Sequence, residues 1–290
     1  MTETHAYPVP SDLRRRLIQI AYRMLGSVAD AEDVVQDAWL RWLAADREMV
    51  REPAAFLRTI VTRLCLNELK SARRQRETYI GPWLPEPIFD PDVQDAIEDI
   101  TLPVMIALER LSPLERAAFL LHDVFGMSFD EVSDVIGRKA ATCRKLASRA
   151  RAHIQEARPR YTATREHGLK LATAFFTASR SGEICVLRAL LAEDIVAYAD
   201  GGGKVPASIA PAVGIDDVVK LFGALARYFA RSPSRLLRYG MIDGLPGFIT
   251  IEAGNILQTT ALQIGKEKIV AIYVTRNPQK LKHLSEVSLH

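Results

Sequence analysis

Long apolar runs are missing from this chain. No stretch approaches the roughly 20 residues needed to cross a bilayer. The opening MTETHAYPVPSDLRRR has no basic flank followed by an apolar segment. Neither a membrane span nor a secretory signal is therefore expected. Cysteine is scarce too: Cys65, Cys143 and Cys185 are odd in number, far apart and outside any CxxC or Cys/His spacing. That excludes a disulfide scaffold and a zinc site as working ideas, and suits reduced thiols in the cytoplasm. No metal or cofactor is expected. Net charge is low as well, +3 over 290 residues. Apolar and charged fractions are ordinary for packed protein, and the length suits two or three domains.

What charge there is sits unevenly. From position 138 to 160 the chain carries Arg138, Lys139, Arg144, Lys145, Arg149, Arg151, Arg158 and Arg160 against Glu156 alone. An earlier run holds Lys70, Arg73, Arg74 and Arg76. One such run is commonly a solvated helix face; two, each closing a helical segment, point to a polyanion.

Helical periodicity fills the first part. DLRRRLIQIAYRML places Leu13, Leu17, Ile20, Ala21 and Met24 on one face, and Gly26 ends it. Asp30 and Asp33 open DAEDVVQDAWLRWL, acids at a helix start where the dipole favours them. Pro53 begins a third helix, with Phe56, Ile60, Leu64 and Leu66 as its expected apolar face. Then the pattern breaks. GPWLPEP, residues 81 to 87, holds Trp83 and Leu84 among three prolines and a glycine. Each proline fixes φ, removes a donor and extends the residue before it, so this is a semi-stiff strap that presents two apolar side chains.

Helices resume near Glu98. SPLERAAFLLHDVFG has Ser112 as N-cap, Pro113 at the first helical position and Glu115 completing a capping box; Ser128 and Glu131 repeat the device. Gly137 then turns the chain into a basic helix. A capped short helix, a glycine turn and a basic helix amount to a helix-turn-helix. After about Arg160 two or three amphipathic helices are followed by strands with period two: DIVAYADGGG, SRLLRYGMI, GFITIEAG, ILQTTALQI and KIVAIYVT, with a hairpin at 265–267. Helices and then a run of antiparallel strands predict an α+β domain.

DAEDVVQDAWLRW, and LSPLERAAFLLHDVFGMSFDEVSDVIG with KAATCRKLASRAR, together resemble regions 2 and 4 of the extracytoplasmic-function (ECF) σ factors of bacterial RNA polymerase. FFTASRSGEICVLRALLAEDIVAYADGGG resembles the opening of a SnoaL-like α+β cone, and WLPEP, DGGGK and NPQKL resemble signatures of the σ subgroup that carries such a cone. The resemblance implies a multidomain chain: two all-α σ domains, a region 2 helical bundle at 11–77 and a region 4 helix-turn-helix at 97–160, joined by a linker at 78–96. A C-terminal SnoaL-like cone at 165–285 would complete it.

Roles follow from the resemblance. Asp33, Gln36 and Asp37 share one helix face and would meet the β′ clamp helices of core polymerase. Arg63, Asn67, Lys70, Arg73 and Arg74 would face the −10 element, cations on phosphates and Asn67 on a base edge. Many relatives have Asn at the position of Arg63 and Asp at that of Asn67, so their −10 preference does not transfer. Lys139, Thr142, Arg144, Lys145, Ser148 and Arg149 would read the −35 element, with Ala140, Ala141 and Ala147 letting the helix sit deep.

For the strap, the expectation is regulation in cis. Trp83, Leu84, Pro85, Glu86 and Pro87 would dock on the cone through Asp200, Gly201, Gly202, Gly203 and Lys204, and through Asn277, Pro278, Lys280 and Leu281. Docking would bias the spacing of regions 2 and 4 and replace a separate anti-σ protein. The plainer alternative is that Trp83 packs on the edge of region 4. Free-standing SnoaL-like domains include enzymes, and Asp200, Tyr198, Asp243 and His167 are the available acid/base groups. Asp200 reads as the shaper of a glycine turn, so no catalytic residue is assigned. Two rival readings stay open: a helix-turn-helix regulator with a ligand-sensing cone, and an enzyme fused to a DNA-binding module.

Overall fold

The computed structural model describes residues 11–46, 49–50, 52–90, 100–157 and 163–287, with side chains left out of the description at 11, 71–77, 90, 156 and 285–287. The chain divides into two compact units. One holds the chain to Gln75 with Ala107–Glu156; the other holds Arg76–Ile106 with the chain from Ala157 on. The strap, expected as a linker between helical domains, thus belongs to the cone's unit, and the two helical segments share the other.

In the first unit α1 (Ser11–Leu25) stops at Gly26 and packs Leu17, Ile20, Ala21 and Met24 inward. Helix α2 (Val28–Ala44) opens on Ser27, whose hydroxyl accepts the Asp30 amide at 3.1 Å. The sequence reading began this helix at Asp30; the serine starts it earlier because its oxygen satisfies an otherwise orphan N–H. Helix α3 (Pro53–Glu77) buries Leu57, Val61, Cys65 and Leu69 at a spacing of four. Of the expected face only Leu66 is buried. Cys65 is the reason: counted as a thiol it hides the stripe, but it packs as a hydrophobe, and burial pushes its pKa far above the usual thiol range.

Helix α4 (Leu102–Leu108) leads to α5 (Pro113–Phe119), with the expected capping box: the Glu115 amide donates to Ser112 Oγ, and the Ser112 amide to Glu115 Oε2 at 3.1 Å. A π-helical turn, Leu120–Val124, then breaks the expected continuous helix. Ser128 and Glu131 box α6 (Phe129–Ile136), and Gly137, at φ 69 and ψ 39, closes it in the left-handed conformation that glycine adopts without strain. Helix α7 (Ala140–Ala157) buries Cys143, Ala147, Ala150 and Ile154. Ala147 therefore faces the core, not DNA as expected.

The Ser112 hydroxyl and amide hold the Glu115 carboxyl below its usual range, helped by Arg149 and His153. A depressed carboxylate stabilises above its unfolded pKa, about 4.3, and loses that contribution as pH falls through its folded value. Ser112→Ala should cost ~1 kcal/mol at neutral pH. In urea titrations the gap between variant and parent should narrow in acid; a gap independent of pH would rule out the capping box as its source.

In the second unit α8 (Arg165–Ser181), α9 (Ile184–Leu190) and α10 (Ile215–Phe229) cover one face of a seven-stranded sheet. Its strands are β1 (Phe89–Asp90), β2 (Leu191–Asp200), β3 (Ala212–Val213), β4 (Arg235–Ile242), β5 (Leu245–Glu252), β6 (Ile256–Gly265) and β7 (Lys268–Thr275). The order is β1-β4-β5-β6-β7-β2-β3. Neighbours are antiparallel except β2 and β7, which run parallel, unlike the wholly antiparallel run expected. Period-two alternation marks strands but carries no direction.

Alternation along β6 and β7 sorts the two faces. Leu262 and Ile272 meet Phe175, Phe222 and Phe248 under the helices. Ala261, Ala271 and Tyr273 point the other way, to Leu84 of the strap and Leu102. Ile249 packs on Leu281 and on Leu284 of the last helix, α11 (Lys282–Val287). The strap also extends the sheet, since β1 pairs with β4 through Phe89–Ile242. One face of the cone is thus completed by the strap.

Candidate functional site

Parallel pairing sets Asp200 beside Thr275 at the same end of the sheet. The DGGGK and NPQKL segments, which follow these two residues, therefore leave the sheet side by side. Both turn onto the strap. Lys280 Nζ donates to Asp200 Oδ2 at 2.7 Å and to the Leu84 carbonyl at 2.5 Å. The Leu84 amide donates to the same Asp200 oxygen at 2.9 Å, and Tyr79 Oη donates to Asp200 Oδ1 at 2.5 Å. Asn277 Nδ2 donates to Tyr79 Oη at 2.9 Å. The backbone joins in, because the amides of Arg276 and Asn277 both donate to the Asp200 carbonyl.

Asp200 is fully buried and Lys280 only 7% exposed. Lys280 Nζ also lies 4.2 Å from the centroid of the Trp83 ring and 4.8 Å from that of Tyr79, in cation–π range. Burial first, then the bond to Asp200, push the Tyr79 phenol well above its usual range, so it remains a donor at neutral pH. Asp200 is thus the acceptor that pins the strap, in the docking position expected of it as well as at the head of the glycine turn. Trp83 faces Lys280 of the cone.

Gly202 has φ 59, and a Cβ there would fall 2.2 Å from Asn277 Nδ2 and 2.9 Å from Tyr79 Oη. Only a bare backbone fits where the loop, the strap and the NPQKL segment converge. Pro85 and Pro87 are buried, Glu86 is half-buried, and His283 Nε2 lies 2.8 Å from the Pro87 carbonyl. Leu281 is buried; Lys204 and Pro278 are exposed. Gly201 is buried and Gly203 exposed in the same loop. Tyr79, Ile80, Phe89 and His283 were not read as part of this contact, and lying next to the motifs was their only signal.

The four acid/base candidates lie on three elements: β2, the β4–β5 turn and α8. Asp200 is engaged by the strap, and Asp243, at φ 45, sits in the β4–β5 turn, where its amide donates to the Ile88 carbonyl at 3.0 Å. Tyr198 stacks on Tyr273 at 5.4 Å on the strap side, and His167 lies in α8. Among the described residues no group of three or more His, Cys, Asp or Glu could hold a metal, and no helix is long and apolar enough to cross a membrane.

On the first unit Asp33, Gln36 and Asp37 are all exposed on α2, and the sequence reading missed that Leu40 and Leu43 continue the face, exposed at 57% and 50%. Lys139, Thr142, Arg144, Lys145, Ser148 and Arg149 are exposed opposite the buried stripe of α7, with the Arg144 guanidinium 5.5 Å from the Phe129 ring centroid. Asn67 and Lys70 are exposed on α3, while the side chains of Arg73 and Arg74 lie outside the described residues. Arg63, exposed on the same helix, is engaged within the unit. Its Nε donates to the Val135 carbonyl at 3.2 Å and its Nη2 to the Asp134 carbonyl at 3.1 Å, both at the end of α6. A cavity of about 520 Å³ beside it is lined by Asn67, Lys70, Leu114, Ile136 and Arg138, among others.

Comparison with known proteins supplies the family. The σ-70 region 2 family model matches residues 11–75 and the σ-70 region 4 model residues 103–154. The ECF RNA polymerase sigma factor SigJ of Mycobacterium tuberculosis is 37% identical over 285 residues, covering 92% of this chain and 90% of that protein. A probable ECF RNA polymerase sigma factor of the same species, SigI, is 31% identical over 278 residues, 93% of each. The crystal structure of the M. tuberculosis ECF sigma factor SigJ matches with a TM-score of 0.74 at 33% identity, covering 93% of this chain and 96% of that one. The C-terminal domain is accordingly a SnoaL-like α+β cone, and neither the ligand-sensing regulator nor the fused enzyme is favoured. With both σ regions in order and full-length relatives of this kind, the chain belongs to the extracytoplasmic-function σ factors, which direct RNA polymerase to specific promoters.

Proposed function

We propose that this σ factor is regulated in cis, its cone holding the strap that joins regions 2 and 4. The observation that carries the reading is the buried Asp200–Lys280 pair, which draws the WLPEP, DGGGK and NPQKL segments onto one another. The strap lies between the two σ regions in the chain, so docking it shortens the free tether and biases how far apart they reach. A separate anti-σ protein is then not needed. Asp33, Gln36 and Asp37, extended by Leu40 and Leu43, form the face for the polymerase clamp. Asn67, Lys70, Arg73, Arg74 and Arg63 serve the −10 element, and Lys139, Thr142, Arg144, Lys145, Ser148 and Arg149 the −35 element.

Run-off transcription with purified core polymerase and a promoter library tests this, comparing the full chain with versions ending at Arg160 and at Leu281. The shorter cut removes the cone. The longer one removes only the tail, with His283 and Leu284, and leaves Lys280 on Asp200. Promoter-specific transcripts are expected from the full chain, with the yield changed most by the cut at Arg160 and less by the cut at Leu281. Equal yields from all three would overturn regulation by the cone.

A further inference from the structure

We propose that regions 2 and 4 are latched together by arginines seated on each other's helix ends, and that Arg63 is the half of the latch that promoter DNA releases. The last carbonyls of a helix have no partner within it, and they form the negative end of its dipole. At the end of α6 the amides of Gly137 and Arg138 both donate to the Ser133 carbonyl. The next two carbonyls, of Asp134 and Val135, take the Arg63 fork at 3.1 and 3.2 Å. A second arginine runs the other way: Arg116 of α5 donates from Nη1 to the Met24 carbonyl, at the end of α1, at 2.6 Å. Each region therefore supplies a guanidinium to a helix end of the other.

The two contacts differ in access. Arg116 is 2% exposed, whereas Arg63 is exposed and borders the 520 Å³ cavity with Asn67, Lys70 and Arg138. Among the described residues no carboxylate lines that cavity. A phosphate reaching it would meet three cations, and a guanidinium binds a phosphate fork more strongly than neutral carbonyls. Region 4 and the DNA backbone thus compete for Arg63. This competition rests on the reading of the α3 stripe as the −10 contact; the latch itself does not. Arg58 and Glu131, 3.9 Å apart across the same two helices, add only a screened pair.

The test is a distance measurement on the full chain. Spin labels go on Ala44→Cys and Ala152→Cys, both exposed, in a Cys185→Ser background; the remaining native thiols are buried. Pulsed dipolar spectroscopy of the parent should give one short distance. Arg63→Gln should raise the open-to-closed ratio about tenfold, the effect of losing one charge-assisted pair. Arg63→Lys, which keeps the charge and loses the fork, should fall between. Circular dichroism shows whether each variant is folded. An unchanged distribution in folded Arg63→Gln would overturn the latch. Oligothymidylate should open the parent and have little further effect on Arg63→Gln; no opening of the parent would overturn the competition and leave the latch. Neither readout uses polymerase or cleavage of the cone, so failure here is separable from failure of regulation through the strap.

Discussion

Asp200→Asn is expected to undock the strap from the cone. The substitution keeps shape and removes charge, so its effect is electrostatic. In the parent one buried carboxylate accepts from Lys280 Nζ, Tyr79 Oη and the Leu84 amide. An amide side chain has one acceptor oxygen for these three donors and takes the Asp200 charge away from the buried Lys280 ammonium. Breaking a buried pair from one side costs about 3–5 kcal/mol. Hydrogen exchange reads it directly: amides of residues 79–90 should lose about a hundredfold or more of their protection, since 1.4 kcal/mol is a factor of ten, while β5 and β6 stay protected. Lys280→Met should act alike, and the double variant should lose less than the sum, because it removes both charges of the Asp200–Lys280 pair together. Gly202→Ala should loosen the same amides by steric overlap with Asn277 and Tyr79. If strap exchange in Asp200→Asn matched the parent, the ion pair would not be what holds the strap.

Signals that act over a few residues were legible, and those that act across the chain were not. Ser112 with Glu115, Ser128 with Glu131, and Gly137 each announce themselves because cap and partner lie within four residues. The same locality made the three motif segments readable as segments. Their meeting was not readable in detail, since Tyr79 and Asp200 are 121 residues apart and Lys280 and Leu84 are 196 apart. Asp200, followed by three glycines, reads both as a turn residue and as a docking residue; the bonds from Tyr79 and the Leu84 amide show that its carboxylate meets the strap. The buried stripe of α3 was missed by one position because Leu57, Val61 and Leu69 need Cys65 to complete them, and a cysteine in a sequence suggests chemistry before packing. Arg63 was read for its charge, and charge alone does not separate a phosphate partner from two carbonyls at a helix end.

Arg116→Met should be among the most damaging single changes in the helical unit. Its guanidinium is 2% exposed and serves three acceptors at once: the Leu108 carbonyl at 2.9 and 2.5 Å, the Met24 carbonyl at 2.6 Å and Glu109 Oε1 at 2.8 Å. Burial pulls its pKa down to about 9, which still leaves it charged at neutral pH. Methionine fills much of the volume and satisfies none of these groups. Two helix ends, of α1 and α4, lose a donor, although the Leu108 carbonyl keeps the Leu111 amide, and Glu109 loses the Arg116 cation. Removing one member of such a buried set costs about 3–5 kcal/mol, a large part of the 5–15 kcal/mol that holds a typical domain. Urea unfolding followed by the fluorescence of Trp39 and Trp42 on α2 should show the midpoint falling accordingly. Arg116→Met with Glu109→Gln should recover part of the loss, since the double variant removes both charges of the Arg116–Glu109 pair. Recovery of nothing would place the whole effect on the Met24 and Leu108 carbonyls. A loss below ~1 kcal/mol, the value of one ordinary hydrogen bond, would mean that Arg116 does not tie α5 to the ends of α1 and α4.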